Sequence, residues 1–187
     1  MAERTVDSRI GFDGKLLRLR VDTVATDGGR TTTREVVEHP GAVAMLPWDG
    51  ERIALVRQWR HPAGRELLEV PAGTLDPDEE RIATARRELA EEVELAADDW
   101  VEGPSFFTAP GFCTEYMTLY LATGLHPAPG AGHDDDEEIE VVWLTLSEAL
   151  AAIDDGRVED GKSIAALLWL ARRLVDGAGI GPGSGAP

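Results

Sequence analysis

Three glutamates in the segment 73–95, GTLDPDEERIATARRELAEEVEL, have a spacing that suits metal chemistry. Glu88, Glu91 and Glu92 stand at i, i+3 and i+4, so a helix would place them side by side, and like charges so placed destabilise a helix by roughly 0.2 to 0.5 kcal/mol per pair. A bound cation would remove that cost. Hard divalent ions such as Mg²⁺ take oxygen ligands and share their sites with substrate phosphates. The spacing therefore predicts a metal and phosphate site.

A second interpretation of this segment needs no chemistry. Asp76 and Glu79 fit the N-cap and N3 positions of a helix capping box, which any soluble helix can use, and for Glu79 both interpretations stay open. A capping box does not explain why Glu88 and Glu92 border the apolar stripe of the helix, where partly desolvated anions need a partner. We expect no protein cation within sequence reach of the clustered carboxylates. Metal binding is therefore the favoured interpretation of this glutamate pair.

The same segment resembles the Nudix box, G-x5-E-x7-R-E-U-x-E-E-x-G-U, in which U is a bulky apolar residue. It departs from that pattern at one defined position, because Glu94 stands where the family has its second glycine. Glycine commonly lets a helix end in the left-handed conformation, and an acidic residue there faces the negative end of the helix dipole. The geometry of the helix exit is therefore open, whereas the metal ligands are unchanged. The matching positions are Gly73, Glu79, Arg87, Glu88, Leu89, Glu91, Glu92 and Leu95. Among them Gly73, Glu79 and Arg87 are assigned structural roles, with Arg87 bracing Glu79.

Further segments resemble the ADP-ribose pyrophosphatase branch of this family. They are RQWR at 57–60, LEVPAG at 68–73, the APGFCTE loop at 109–115, and the segment 34–43, which is similar to one near the adenine site of relatives. The resemblance implies hydrolysis of the diphosphate bond of ADP-ribose to AMP and ribose 5-phosphate, with Mg²⁺ or Mn²⁺ as the cofactor. The implied substrate-binding residues are Arg34, Glu35, Arg57, Arg60, Pro110, Gly111 and Glu115. The implied metal ligands are Ala72, Glu88, Glu91 and Glu92.

An acidic run, HDDDEE at 133–138, precedes a predicted strand. In relatives the equivalent loop carries a glutamate that closes over the diphosphate, and a mobile carboxylate suits a base that engages only when substrate is bound. Glu137 aligns best with that glutamate, with Asp135 and Glu138 as close alternatives and Glu91 on the box helix as a further one. Runs of acidic residues are also typical of solvated loops, so both interpretations stay open.

Other functions are compatible with parts of this pattern. Because the box addresses only the diphosphate, the substrate can also be another nucleoside diphosphate sugar or a dinucleotide. A non-catalytic ADP-ribose sensor, as in Nudix-domain transcription regulators, is disfavoured because the chain lacks a basic appended DNA-binding domain and keeps every acidic box position. A structural module with an acidic surface does not explain the box.

Length and charge restrict the remaining possibilities. At 187 residues the chain fits one domain of ordinary size with a small extension. Its 35 acidic and 18 basic residues give a net charge of −17, which argues against a nucleic-acid partner because backbone phosphates need a basic face. A single cysteine excludes an intramolecular disulfide, and the first ten residues lack the apolar core of a secretory signal. We therefore expect a cytoplasmic protein with no nucleic-acid or membrane partner.

The elements that must position these residues form an α+β pattern, because turn signals divide β-rich runs in the first third of the chain and helices follow. We predict a Nudix-type α/β/α sandwich with a mixed sheet, an N-terminal antiparallel β extension at 1–40, a hydrolase domain at 41–176 and a flexible tail at 177–187. The predicted strands are 5–10, 18–26, 31–38, 42–47, 53–59, 66–70, 106–107, 117–121 and 139–144, and the predicted helices are 79–94, 147–154 and 161–176.

The N-terminal extension also predicts a homodimer. Ile10, Leu17, Leu19 and Val21 are apolar positions with little nearby core of their own. Relatives of this branch exchange N-terminal strands, and exchange of an element is a low-cost route to dimers.

Overall fold

The computed structural model describes residues 2–128 and 138–177, and the chain divides into two compact units. The first unit contains residues up to 41 together with 106–117, and the second contains 42–105 and the residues from 118 onward. Among the described residues, no helix is long and apolar enough to cross a membrane.

The first unit is an antiparallel meander of three strands, β1 Glu3–Asp13, β2 Arg18–Thr26 and β3 Thr31–Glu38, with β2 in the centre. Gly29 has a φ of 75° in the turn between β2 and β3, a conformation that glycine adopts readily because it has no Cβ. Register shifts interrupt the pairing of β1 with β2, and every residue of β1 is exposed. β1 is therefore an exposed edge strand.

The second unit contains two sheets and three helices. Its elements are β4 Ala42–Pro47, β5 Arg52–Arg60, β6 Arg65–Glu69, β7 Ala72–Thr74, α1 Arg81–Val93, β8 Leu95–Phe107, β9 Tyr116–Pro127, β10 Glu140–Thr145, α2 Leu146–Asp154 and α3 Gly161–Val175. The last two residues of β8 and the first two residues of β9 belong to the first unit. One sheet has the strand order β7-β4-β9-β8, and the other has the order β10-β5-β6 with antiparallel pairs. Helix α1 packs on β4 and β7, whereas α2 packs on β10 and α3 packs on β4.

The apolar face of α1 holds this helix on the sheets. Ala85, Leu89 and Val93 recur with helical spacing and are buried against a core that includes Val43 of β4 and Val56 of β5. Burial of a leucine side chain contributes about 1.5 to 3 kcal/mol. This packing fixes the rotation of α1 about its axis, and therefore the directions in which its three clustered glutamates project.

The α+β prediction is confirmed, and the predicted bounds of β2, β3 and β4 agree with the structure. Strand β8 differs, because the prediction covers only its last two residues. Its sequence, LAADDWVEGPSFF, contains adjacent aspartates, a glycine and a proline, which interrupt the alternation of apolar and polar residues that indicates a strand. Strand β7 has three residues, too few for a periodic signal.

The start of α1 also differs from the prediction. The helix begins at Arg81, and no side-chain hydrogen bond caps it. Asp78 takes a left-handed φ of 63° before the helix, so the chain turns within the segment that was expected to be its first turn. The capping-box interpretation of Asp76 and Glu79 is therefore wrong, because the Glu79 carboxylate accepts hydrogen bonds from Arg87 instead.

Candidate active site

The strand that precedes α1 makes room for one of its glutamates. A Cβ atom at Gly73 on β7 would lie 2.0 Å from Cδ of Glu88 and 2.1 Å from its Oε1. Real Cβ atoms do not approach other heavy atoms so closely, so any larger residue at position 73 would displace the Glu88 side chain. Glycine is therefore needed for Glu88 to keep this position, because of the close approach of its carboxylate and not because of backbone conformation.

A second glutamate of α1 is anchored to the same strand. The Ala72 backbone N–H donates to Oε2 of Glu92 over 3.0 Å, and Glu92 is only 7% exposed. A buried carboxylate is stable only when it is hydrogen-bonded or paired. Strand β7 therefore positions two carboxylates of α1, Glu92 through a backbone hydrogen bond and Glu88 through the space at Gly73.

Arg87 lies among the carboxylates of this segment. Its Nη1 donates to Oε1 of Glu88 over 2.7 Å and to Oε2 of Glu91 over 2.9 Å. Its Nε and Nη2 donate to the two carboxylate oxygens of Glu79 over 3.2 and 3.1 Å. The expectation that no protein cation reaches the cluster is therefore wrong. The i, i+4 spacing places Glu91 beside Arg87, and the turn before the helix brings Glu79 back to its other edge.

The charge state of this network follows from its hydrogen bonds. Donation from Arg87, followed by donation from the Thr84 hydroxyl, lowers the pKa of Glu79 to about 2. The same hydrogen bond with Glu79 raises the pKa of Arg87 above its ordinary value, and the other two glutamates reinforce this shift. Glu79 and Arg87 are therefore fully charged near neutral pH, and their contact ties the loop before α1 to the middle of the helix.

Arg60, at the end of β5, makes a bidentate ion pair with Glu69 of β6. Its Nε and Nη2 donate to the two Glu69 oxygens over 3.0 and 2.7 Å, while 37% of the Arg60 side chain stays exposed. Lys162 at the start of α3 donates to the same carboxylate over 2.5 Å. Burial raises the pKa of Glu69, but the two cations outweigh that effect and lower it overall. The nearby Arg57 donates to Oε2 of Glu140 on β10 over 2.8 Å.

The predicted substrate residues of the first unit lie on β3 and on the loop 109–115. The 109–115 loop pairs with β3, because the Val37 N–H donates to the Phe112 carbonyl over 2.7 Å and the Thr114 N–H donates back to Val37 over 3.0 Å. Glu115 lies 3.8 Å from Nε2 of His39. Arg34 makes an ion pair with Glu3 of β1, while Glu35, Pro110 and Gly111 are exposed.

Comparison with known proteins identifies the family. The NUDIX domain model matches residues 38–167, more than half of the chain. The chain belongs to the Nudix family. It is 39% identical to a methanol dehydrogenase activator of Bacillus methanolicus, over 90% of this chain and 92% of that protein. It is 41% identical to an ADP-ribose pyrophosphatase of Mycobacterium tuberculosis, over 88% of this chain and 81% of that protein.

A solved structure of an ADP compounds hydrolase has the same fold. Its TM-score is 0.85 at 20% sequence identity, and the match covers 95% of this chain and 97% of that one. At this identity the likeness concerns the fold alone, and it confirms the predicted Nudix-type architecture.

The Nudix helix α1 ends in a left-handed conformation at Glu94, although glutamate stands there in place of the glycine of the box. Glu94 follows the last residue of α1 with a φ of 56° and a ψ of 32°, and its N–H donates to the carbonyl of Leu89. This is the left-handed conformation that glycine at this box position would adopt. The geometry is therefore retained at the expense of strain at Glu94, whose side chain is exposed.

The donors of the Nudix helix fit a hard divalent cation. Within 2–128 and 138–177 no three His, Cys, Asp or Glu side chains are arranged as a metal cluster. Mg²⁺ does not need one, because it is usually held by one or two carboxylates together with water and substrate phosphates. Glu88 and Glu92, both positioned by β7, supply two such carboxylates, and Arg87 donates to Glu88 as well as to Glu91.

The candidate bases are only partly placed by the structure. Glu137 and Asp135 lie outside the described residues, and Glu138 is exposed just before β10. The sequence pattern did not identify Glu69 and Lys162 as parts of a site. No local signal reveals them, because 93 positions separate the two residues that meet in the fold.

Proposed function

We propose that this Nudix protein hydrolyses the diphosphate bond of ADP-ribose to AMP and ribose 5-phosphate with Mg²⁺, or with Mn²⁺ in its place. The observation that carries the proposal is the placement of Glu88 and Glu92 by β7, where Gly73 leaves space for one carboxylate and the Ala72 N–H holds the other. The choice of ADP-ribose is supported by the 41% identity to a relative named for that activity.

The proposed metal ligands and phosphate-binding residues lie on α1, β7 and β5. Glu88 and Glu92, with the Ala72 carbonyl and with Glu91 as a further ligand, would hold the divalent ion. When bound, such an ion neutralises diphosphate charge and activates water for attack at phosphorus. Arg60 directs two of its N–H groups at Glu69 and keeps an exposed part, which would bind a phosphate oxygen.

The remaining residues would hold the rest of the substrate and the attacking water. We assign Arg87 to bracing Glu79 and the box, since its guanidinium already binds three carboxylates. A carboxylate before β10 would orient or deprotonate the water, with Glu137 proposed first, Asp135 and Glu138 next, and Glu91 as the alternative. Arg57 would be a second partner of the phosphate oxygens beside Arg60, and the rest of the substrate would be bound by Arg34, Glu35, Pro110, Gly111 and Glu115.

Substitution of the acidic residues at 135, 137 and 138 tests this assignment. Glu137→Gln should lower turnover by roughly 10² to 10⁴, the usual contribution of a general acid or base, with little change in substrate affinity. Glu138→Gln and Asp135→Asn are the matched controls and should retain turnover within about twofold. Equal and small effects at all three positions would return the role of the base to Glu91 or Glu92 on α1.

A panel of nucleoside diphosphate compounds tests the proposed activity itself. ADP-ribose should be cleaved in Mg²⁺, should not be cleaved in excess chelator, and should be preferred over other nucleoside diphosphate sugars and dinucleotides. Undiminished turnover in chelator would reject the metal site. Faster cleavage of another panel member would keep the enzyme class and reject the substrate.

The assembly and location that we propose are a homodimer in the cytoplasm. The proposed dimer would bury the edge strand β1, on which Val6, Ile10 and Phe12 are large apolar residues that are 45%, 49% and 61% exposed. Long apolar edge strands favour pairing with another chain. Light scattering at micromolar protein concentration should give the mass of two chains, and a monomer mass would reject the dimer.

A further inference from the structure

Two cations and two anions form a compact cluster beside the Nudix box. The four-charge cluster consists of Arg60, Glu69, Asp160 and Lys162, and it contains no net charge when all four groups are ionised. Lys162 donates to Oε2 of Glu69 over 2.5 Å and to Oδ2 of Asp160 over 3.0 Å. The Lys162 side chain is 14% exposed and that of Glu69 is 2% exposed. Charges buried this deeply are screened much less by salt than surface charges.

Lys162 and Arg60 share one carboxylate. Nη2 of Arg60 and Nζ of Lys162 both donate to Oε2 of Glu69, over 2.7 and 2.5 Å. Arg60 also interacts electrostatically with Glu92, the carboxylate of α1 that the Ala72 N–H holds. Lys162 neutralises part of the negative charge of Glu69. The attraction that Arg60 can exert on a further anion therefore depends on the presence of Lys162.

Contacts of the four-charge cluster join α3 to the segment that leads into the box. Asp160 accepts from the Ser163 N–H over 2.8 Å and thereby caps α3. The Ser163 hydroxyl in turn accepts from the Val70 N–H over 2.7 Å, two residues before Ala72. The position of Lys162 is therefore set by the same contacts that join α3 to the strand end leading into the box.

We propose that Lys162 is a positioning residue for substrate binding, which balances Glu69 and Asp160 so that Arg60 presents its positive charge to the substrate diphosphate. This inference rests on the proposed function and extends it to a residue outside the Nudix box. Lys162 itself is not assigned a contact with substrate. Its removal would leave the cluster with a net charge of −1, which repels an anionic substrate and attracts a divalent cation.

Substitution of Lys162 by methionine tests the proposal, because the two ligands of the site should respond in opposite directions. One unit charge about 10 Å away, at an effective dielectric constant of about 20, changes the binding of another charge by roughly tenfold. In Lys162→Met the KM for ADP-ribose at saturating Mg²⁺ should rise by about that factor, with kcat changed less than KM. Mn²⁺ should bind the substrate-free variant more tightly than the wild type, as measured by calorimetry.

Two further variants separate charge from structure. Lys162→Arg keeps the positive charge and should restore the KM to within about threefold of the wild type. The matched control is Lys15→Met, which removes the chain's other lysine from an exposed turn and should change neither constant.

The outcomes that contradict the proposal are distinct from failure of the proposed function. An unchanged KM in Lys162→Met would overturn the proposal, and so would weaker Mn²⁺ binding that accompanies weaker substrate binding, since that pattern indicates general loss of structure. If the wild type does not cleave ADP-ribose, the proposed function fails, and calorimetric binding of ADP-ribose to the same variants still decides the role of Lys162.

Discussion

Replacement of Glu94 by glycine should stabilise the protein without changing its activity. Glu94 ends α1 with a φ of 56°, a conformation in which a side chain brings Cβ too close to the following carbonyl oxygen. Its own carboxylate is exposed and lies at the C-terminal end of the helix, where the helix dipole is negative. Both features are unfavourable, and Glu94→Gly removes both.

Three contributions determine the expected magnitude. Relief of the left-handed conformation contributes about 1 to 2 kcal/mol, and loss of the carboxylate at the negative helix end contributes about 0.3 to 1 kcal/mol. The greater freedom of glycine in the unfolded chain opposes these by about 0.4 to 1 kcal/mol. These ranges combine to a net gain of about 0.3 to 2.6 kcal/mol in the free energy of unfolding, centred on roughly 1.5 kcal/mol. For a chain of this size each kcal/mol raises Tm by roughly 2 to 4 °C.

Urea unfolding and thermal melts of the metal-free protein measure this gain, and Glu94→Ala is the matched control. Alanine removes the charge but keeps Cβ, so it should gain only the smaller electrostatic contribution. The backbone explanation is refuted if alanine stabilises as much as glycine, or if glycine does not stabilise at all. The kcat/KM of Glu94→Gly should stay within about twofold of the wild type, because the Glu94 side chain is exposed and is not one of the proposed ligands.

Three further predictions address the box. Gly73→Ala should abolish most turnover while the protein still folds, because the new Cβ displaces Glu88. Wild-type activity with an unchanged circular dichroism spectrum would show that the close approach of Glu88 to Gly73 does not matter for activity. Glu92→Gln should raise the Mg²⁺ concentration needed for half-maximal activity by at least tenfold, and a metal titration with unchanged midpoint would reject Glu92 as a ligand. Glu79→Gln should cost about 1 to 2 kcal/mol of stability near neutral pH by removing its hydrogen bonds with Arg87. Because the folded-state pKa of Glu79 is lowered from 4.5 to about 2, this cost should shrink as pH falls through that range. Urea unfolding at several pH values measures the cost, and a cost that does not change with pH would contradict the lowered pKa.

Local patterns in the sequence predicted most elements of this protein and the clustered carboxylates of the box. The bounds of β2, β3 and β4 follow from alternation between turn signals, and the clustering of the three box glutamates follows from their spacing on one helix. These features depend on spacings of one to four residues, which the regular geometry of strands and helices converts directly into neighbours.

The tertiary structure decided how the charged groups are paired. Arg87 reaches Glu79 only because the chain turns before α1, and Gly73 faces Glu88 only because β7 packs beside that helix. Lys162 meets Glu69 across 93 positions of the chain. A side chain's partners depend on which elements pack together. The sequence therefore indicated the box glutamates and an arginine that braces Glu79, but neither the contact of Arg87 with Glu88 nor the buried cluster around Lys162.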